Sequence, residues 1–231
     1  MLMRDTEIRA AIKAERVSIT PFRPERLQGA SYDLAVGGEA LVSNRDDKII
    51  LGPDRVPSLH LNAGDFALVL TRESIKLPLD VSCVIGMRSS LARRGLILLA
   101  GLQIDPGFEG HLRFGLYNAS PRRMTLDYDD DLCTIEFRKL SGPVEHPAPR
   151  IQELIEGKIP DADRVYLRAL ETTSLSELSR NMQTMSQSVE ELASQMKANA
   201  KETRWLRIFV VSGVIAIMTG VVTAVIVGIM K

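Results

Sequence analysis

The chain carries no net charge, because 29 lysine and arginine residues balance 29 aspartate and glutamate residues. Proteins that bind nucleic acid normally carry a basic surplus or a basic stripe, so the balance argues against a nucleic-acid partner. Cysteine and histidine are also scarce, with two and three residues, and they show no zinc-ligand spacing. Cys83 and Cys133 both fall in predicted strands, which favours buried reduced thiols over a disulfide, a metal site or a catalytic role.

Long apolar runs are missing from most of the chain, and its first residues lack the apolar stretch of a signal peptide. One run stands out near the end, where residues 208–230 are uncharged and would form a helix of about 34 Å, long enough to cross a bilayer core. Lys201, Arg204 and Arg207 precede it, whereas only Lys231 follows. This bias predicts membrane localisation through a single-pass C-terminal anchor, with the N-terminal part in the cytoplasm.

Short apolar or alternating runs separated by Gly, Pro, Asn and Asp predict β-strands within the first 140 residues. These runs are 66–70, 83–85, 96–99, 111–117 and 133–137. Their spacing is typical of a sandwich or barrel. Residues 5–15 are the exception, because their apolar positions follow helical spacing after Asp5, which could cap a helix.

Two neighbouring motifs carry the chemistry. The first combines two hydroxyls with two guanidiniums, Arg88, Ser89, Ser90 and Arg93, and the second places Asp105 in the run Ile104 to Gly110. Fixed guanidinium forks and rotatable hydroxyl donors suit a triphosphate. Asp105 could orient a ribose hydroxyl, hold a metal-bound water or activate one. A solvated turn is the alternative for the first motif taken alone.

The two motifs, MRSSLARRGL and IDPGFEG, resemble those of the dCTP deaminase and dUTPase superfamily, which read GRSSLARxGL and IDPGF or IDPGW followed by xG. Residues 2–22, 29–37 and 61–81 are also similar to segments of that family, so the likeness covers roughly the first 140 residues. It implies a mainly β, distorted jelly-roll head that forms a homotrimer with nucleotide sites at the subunit boundaries.

The same resemblance implies roles for single residues. Arg88, Ser89, Ser90 and Arg93 would hold the phosphates of a deoxynucleoside triphosphate, with Mg²⁺ bound to it, and Phe114 would belong to the nucleotide-binding set. Asp105 matches the water-activating aspartate of the dUTPase branch and is the candidate catalytic residue. Asp33 would support the site by orienting a motif or a metal-bound water, although a purely structural role is an equal alternative.

Deamination is not expected. The family's proton-transferring glutamate follows the second motif in the pattern IDPGWxGxxxLE, and this alignment places Gly115 at the glutamate position. The family's His and Thr-Ala before IDPG are also missing. Residues 151–170 show neither of the two kinds of C-terminal segment that close the nucleotide site in this family. Hydrolysis of a triphosphate needs fewer catalytic groups than deamination, so it remains an alternative.

A heptad pattern precedes the C-terminal apolar run. Its seam consists of Leu175, Leu178, Met182, Met185, Val189, Leu192 and Met196, spaced alternately three and four residues apart. This pattern predicts a parallel coiled-coil stalk, with an amphipathic helix lying on the head as the alternative. A small residue at every fourth position of residues 212–228 also favours self-association.

The sequence thus predicts a head (1–140), a linker with short helices (141–170), a coiled-coil stalk (171–204) and a transmembrane anchor (205–231). The preferred function is a membrane-anchored, deaminase-deficient deoxynucleotide-binding sensor or assembly module. The alternatives are a membrane-tethered dUTP or dNTP diphosphohydrolase and a trimerisation unit without a ligand.

Overall fold

The computed structural model describes residues 1–43, 45, 47–171, 182–192, 194–195 and 212. The chain divides into two units, Met1–Glu177 and Leu178–Lys231. In the first unit the helices are α1 (Asp5–Lys13), a 3₁₀ turn (Pro24–Arg26), α2 (Ser89–Arg93), α3 (Gln152–Ile155) and α4 (Asp161–Glu171). The strands are β1 (Ser18–Thr20), β2 (Ser31–Val42), β3 (Ile49–Ile50), β4 (Ser58–Leu61), β5 (Phe66–Lys76), β6 (Val81–Met87), β7 (Leu96–Leu99), β8 (Gln103–Ile104), β9 (Glu109–Asn118), β10 (Met124–Asp127) and β11 (Asp131–Lys139).

A curled antiparallel sheet of nine strands dominates the first unit, which confirms the predicted mainly β head. Seven strands run in the order β7-β9-β5-β2-β11-β6-β8, with β1 on β5 and β3 on β2, while β10 and β4 form a separate pair. Nearly every residue of β2 is buried, so both faces of this central strand are covered. Cys83 of β6 and Cys133 of β11 are buried free thiols, as predicted, and burial raises the pKa of both.

Helix α1 packs Ile8 into the core and begins one residue earlier than its sequence suggests. Arg4 rather than Asp5 is the N-cap residue. The Arg4 backbone N–H donates to Glu7 Oε2 at 2.9 Å, which is the reciprocal contact of a capping box.

Residues 151–167 pack on the head, although their sequence is hard to interpret. Leu154, Ile159 and Leu167 are buried in a second apolar cluster with Leu41 of β2 and Leu70 of β5. The cluster brings α3 and α4 beside β9, next to the candidate site.

The predicted membrane localisation is wrong. A spanning helix needs about 20 mostly apolar residues, and among the helices of the described residues none is long and apolar enough to cross a bilayer. The run 208–230 itself lies outside the described residues except for Ser212, as does most of the predicted stalk. Four seam residues fall in the described helix of residues 182–192, and all four are exposed in the single chain: Met182, Met185, Val189 and Leu192.

Candidate functional site

The phosphate motif lies where β6 ends and α2 begins. Arg88 occupies the N-cap position of α2, and Leu91 buries the short helix against the core. Ser89, Ser90 and Arg93 are exposed. Their hydroxyl and guanidinium donors therefore face outward, where an anion can reach them.

Arg88 is held by two carboxylates from other parts of the sheet. Its Nη1 contacts Asp33 of β2 and lies 3.0 Å from Asp131 Oδ2 at the start of β11. Asp33 is almost fully buried and also accepts a hydrogen bond of 2.5 Å from the hydroxyl of Thr134. Antiparallel pairing of β11 with β2 puts Thr134 opposite Asp33. Strand register thus orients the guanidinium of Arg88.

A buried ion-pair network continues from Asp131. Arg26 Nε lies 3.1 Å from Asp131 Oδ1, and Arg26 Nη1 lies 2.7 Å from Oε1 of the fully buried Glu73. The other oxygen of Glu73 accepts the backbone N–H of Ala35 at 2.9 Å. Burial raises the pKa of Glu73 despite these partners. The sequence contains no local signal for this network, because its members are far apart along the chain.

Asp129 closes the network at the turn before β11. It contacts Arg72 and lies 2.8 Å from Arg23 Nη2 and 3.1 Å from Arg26 Nη2. Burial acts to raise the pKa of Asp129, but the hydrogen bonds from Arg72 and Arg23 outweigh it and hold the pKa below its usual value. The phosphate motif is therefore anchored to a dense, charge-compensated region.

Asp105 lies in the wall of a separate cavity of about 230 Å³. It directly follows β8, is exposed, and accepts a hydrogen bond of 2.8 Å from the side-chain amide of Gln103. Phe114 of β9 lines the same cavity and is buried. The other lining residues are mostly apolar: Ile85, Ala100, Gly101, Ile104, Phe108, Leu112, Arg113, Ala148, Pro149, Ile151 and Leu154.

The structure brings the predicted residues together in two groups rather than one. Strand β6 pairs with β8 through Cys83 and Ile104. Because the pairing is antiparallel, Asp105 falls beside Ser82, six residues from Arg88. Asp105 and Arg88 therefore lie near opposite ends of β6, about 20 Å apart at the usual strand rise. Asp33 joins the Arg88 group and Phe114 joins the Asp105 group.

Gly115 lies in β9 between Leu68 of β5 and Leu99 of β7. A Cβ atom built on Gly115 would be 2.9 Å from the Leu99 carbonyl oxygen and 3.0 Å from Phe66 Cζ. Real Cβ atoms essentially never approach a backbone oxygen that closely. This position therefore lacks both a side chain and the room for one.

A second cavity of about 320 Å³ adjoins Gly115 and is covered by α4. Arg113 lines both cavities and forms an ion pair with Asp163 of α4. Within the described ranges, there is no group of three or more His, Cys, Asp or Glu side chains that could hold a metal ion.

The chain belongs to the dCTP deaminase-like family, whose model matches residues 2–140. It is 41% identical over 147 residues to the dCTP deaminase of Thermococcus kodakarensis, covering 64% of this chain and 88% of that protein. It is 31% identical over 161 residues to the dUMP-forming dCTP deaminase of Persephonella marina, with the same two coverages.

Among solved structures, the dCTP deaminase of Agrobacterium tumefaciens is similar in fold, with a TM-score of 0.50 at 22% identity. The match covers 59% of this chain and 48% of that one, so the chain spans about half of the length of that structure. These likenesses support membership of a superfamily of nucleotide metabolism.

Proposed function

We propose that this protein binds a deoxynucleoside triphosphate without deaminating it and serves as a nucleotide sensor or assembly module. The observation that carries this proposal is the crowding around Gly115. Deamination of cytosine needs a positioned group that transfers protons between water, the ring nitrogen and the leaving amine. Glycine offers no such group, and the Leu99 carbonyl and the Phe66 ring leave no space for a glutamate.

Arg88, Ser89, Ser90 and Arg93 form the proposed phosphate site. Both described contacts of Arg88 use Nη1, which leaves Nε and Nη2 to donate to phosphate oxygens. Guanidinium groups bind phosphate through two parallel hydrogen bonds, and such charged hydrogen bonds are about twice as strong as neutral ones. Asp33 takes the role of a positioning residue, because it holds the guanidinium without being exposed to a ligand.

The separation of Arg88 from Asp105 supports a site shared between copies of the chain. A nucleotide bound at a boundary would meet the phosphate motif of one copy and the Asp105 cavity of another. We therefore propose a homotrimer. The exposed seam residues of 182–192 fit a parallel stalk through which copies of the chain associate. The head (1–140), linker (141–170) and stalk (171–204) boundaries belong to the same proposal.

Hydrolysis of dUTP or another deoxynucleoside triphosphate is the second candidate, and the position of Asp105 favours it. An exposed carboxylate in a cavity wall, oriented by the Gln103 amide, can accept a proton from water. Mg²⁺ fits this candidate because it binds mainly through substrate phosphates and needs only one or two protein carboxylates. Bound in that way, it would neutralise charge on the phosphates.

The proposal is tested by measuring the thermal stability of the full chain with each of a panel of nucleotides. A ligand at 100 times its dissociation constant adds about 2.7 kcal/mol to the free energy of unfolding. Product analysis with the nucleotide that binds then separates the candidates. Asp105→Asn should abolish any hydrolysis and leave most of the triphosphate affinity intact. Stabilisation by no nucleotide would contradict both candidates and favour a trimerisation unit.

A further inference from the structure

The turn of residues 119–123 follows β9 and lies directly against the end of α2. The Ala119 backbone N–H donates to the Gly95 carbonyl oxygen at 2.9 Å. A Cβ atom built on Gly95 would be 3.0 Å from Ser120 Cβ and 3.1 Å from the Ser120 backbone nitrogen, and the φ angle of Gly95 is +93°. A contact this close holds the turn beside the phosphate motif.

A buried asparagine fixes the shape of this turn. The side-chain amide nitrogen of the fully buried Asn118 donates to three carbonyl oxygens, those of Leu61 at 3.0 Å, Asn62 at 3.0 Å and Arg122 at 2.8 Å. Its Oδ1 accepts the Ser120 hydroxyl at 2.7 Å and the Ser120 backbone N–H at 3.0 Å. Moving the turn would leave several of these buried polar groups without partners, which is costly. The turn is therefore a rigid support for the two arginines at its end.

Four exposed arginines lie at this contact: Arg93, Arg94, Arg122 and Arg123. Within the part of the chain that the structure describes, no carboxylate forms an ion pair with any of them. In contrast, three arginines of the neighbouring network all pair with Asp129. Exposed guanidiniums without a carboxylate are free to donate to an anion.

The two arginines of the turn lie on different faces. Buried and exposed residues alternate along β10, beginning with the buried Met124. Continuing this alternation into the turn puts Arg122 on the side of Met124, which packs in the same core cluster as Leu91 of α2. Arg123 falls on the outer face, where burial and the positive charge of Arg123 act together to lower the pKa of His60. Arg122 therefore faces the end of α2, and Arg123 faces away from it.

We propose that Arg94 and Arg122 extend the phosphate site beyond the motif and bind the terminal phosphate of a triphosphate. This inference rests on the nucleotide binding proposed above. Arg94 directly precedes Gly95, and Arg122 is two residues beyond Ser120, so one arginine lies on each side of the contact. Each phosphate added to a chain brings more negative charge and more acceptor oxygens, which guanidiniums bind through paired hydrogen bonds. The turn thus supplies positive charge that the motif alone does not contain.

The test compares Arg94→Ala and Arg122→Ala with the parent chain and with Arg123→Ala, a matched control. The control removes the same charge from the next position of the same turn, on the face away from α2. All three side chains are exposed, and the hydrogen bonds of Arg122 within the turn use its backbone carbonyl, so the variants should fold as the parent does. Calorimetry gives dissociation constants of the full chain for dUTP, dUDP, dUMP, dCTP, dCDP, dCMP and inorganic tripolyphosphate.

Arg94→Ala and Arg122→Ala should each weaken the binding of triphosphates and of inorganic tripolyphosphate by about ten-fold, because each loses one charged hydrogen-bonding partner. Monophosphate affinity should stay near the parent value, because a single phosphate held by the motif does not extend to the added arginines. Arg123→Ala should bind every compound as the parent does, since salt screens the charge of an exposed side chain that makes no contact with the ligand.

The outcomes separate this inference from the proposed function. Unchanged triphosphate affinity in both variants of a chain that binds triphosphates would overturn the inference alone. Equal losses for monophosphates, or an equal loss in Arg123→Ala, would also overturn it, since the arginines would then act only through general positive charge. Binding of tripolyphosphate but of no nucleotide, with the expected losses, would support the extended phosphate site and overturn the proposed function. A parent chain that binds neither would overturn both.

Discussion

At the scale of single residues, the candidate site is defined by how Arg88 is held. Asp33 and Asp131 fix its guanidinium from two strands, while Arg93 at the end of α2 is exposed. One arginine is thus built into the sheet and the other is available to a ligand, so substitution of Arg93 tests the phosphate site with less damage to the fold.

We expect Arg93→Ala to weaken triphosphate affinity by roughly ten-fold or more, because loss of one charged hydrogen-bonding partner costs about 1.5–3 kcal/mol. Calorimetric titration with the nucleotide identified in the panel measures this change. His60→Ala, which removes a ring that hydrogen-bonds Thr125 at 3.1 Å, is the control and should bind as the parent does. Unchanged affinity in both Arg93→Ala and Arg88→Ala would show that the phosphate site is assigned incorrectly.

Gly115→Glu should not produce deaminase activity. The added side chain meets the Leu99 carbonyl and Phe66, so we expect it to lower the free energy of unfolding by about 1–3 kcal/mol, as overpacking usually does. Ammonia release from dCTP and denaturant unfolding are the measurements. Gly38→Glu in β2 is the control for stability, because a Cβ there meets nothing closer than 3.8 Å. Robust dUTP formation from dCTP by the parent chain would refute deaminase deficiency.

Asp129 should control part of the stability at acidic pH. Its pKa is below the ordinary value of 3.8 in the folded protein, so its contribution is present above pH 3.8 and is lost as the pH falls through the folded value. Asp129→Asn removes this contribution and should flatten the fall in the free energy of unfolding below about pH 4. Asparagine tolerates the positive φ of 72° at this position. Identical slopes in the two proteins, measured by urea unfolding at several pH values, would argue against the proposed role.

At the scale of secondary structure, strand β9 forms part of both cavities, and α3 and α4 each line one of them. Strand β9 supplies Arg113, Phe114 and Gly115 in succession, so one strand contributes to both cavities and to the crowded position. Helix α4 meets the same strand through Asp163. The contact that holds α4 on the head therefore also involves a residue that lines the cavities, Arg113.

We expect Asp163→Asn to loosen α4 while the sheet stays folded. It removes the ion pair with Arg113, and helices held by few contacts open locally before the core does. Hydrogen exchange should show faster exchange of α4 amides and unchanged exchange in β5 and β9. Asp161→Asn is the matched control, because the side chain of Asp161 is 91% exposed and its pairing with Lys48 should contribute little. Equal protection of α4 in all three proteins would exclude the ion pair as an anchor.

At the scale of the whole molecule, assembly is the central question. The Arg88 and Asp105 groups lie near opposite ends of β6 in one chain, which makes a shared site the simplest way to use both. A head with threefold symmetry keeps a parallel stalk on its axis only if the stalk also has three strands.

We therefore expect the full chain to be a parallel homotrimer by mass measurement, with cysteines introduced at Val189 crosslinking between chains. Replacing Leu178 and Leu192 with Asp should reduce this crosslinking and leave the trimer intact if the head also holds it together. Val165→Asp, at an exposed position of α4 outside the seam, is the control. A monomeric or dimeric full chain would show that the site is not shared in the way proposed.

The sequence by itself determined the features that depend on neighbouring residues. Alternating runs indicated the strands, helical spacing indicated α1, and the two motifs placed Arg88 and Asp105 in the family's pattern. Hydrophobic periodicity and turn-forming residues involve only neighbouring positions, so both can be recognised in the sequence. The apolar run near the C-terminus led to a membrane localisation that the described helices contradict.

Only the tertiary structure decided which distant groups meet. Strand register brought Asp33, Thr134 and Asp131 around Arg88, and the same register separated Arg88 from Asp105. Docking of residues 151–167 placed Ile151 and Leu154 in the cavity wall, although that segment has weak periodicity and a proline. Ion pairs and close packing depend on distances between residues far apart in sequence, and those distances exist only once the sheet has curled.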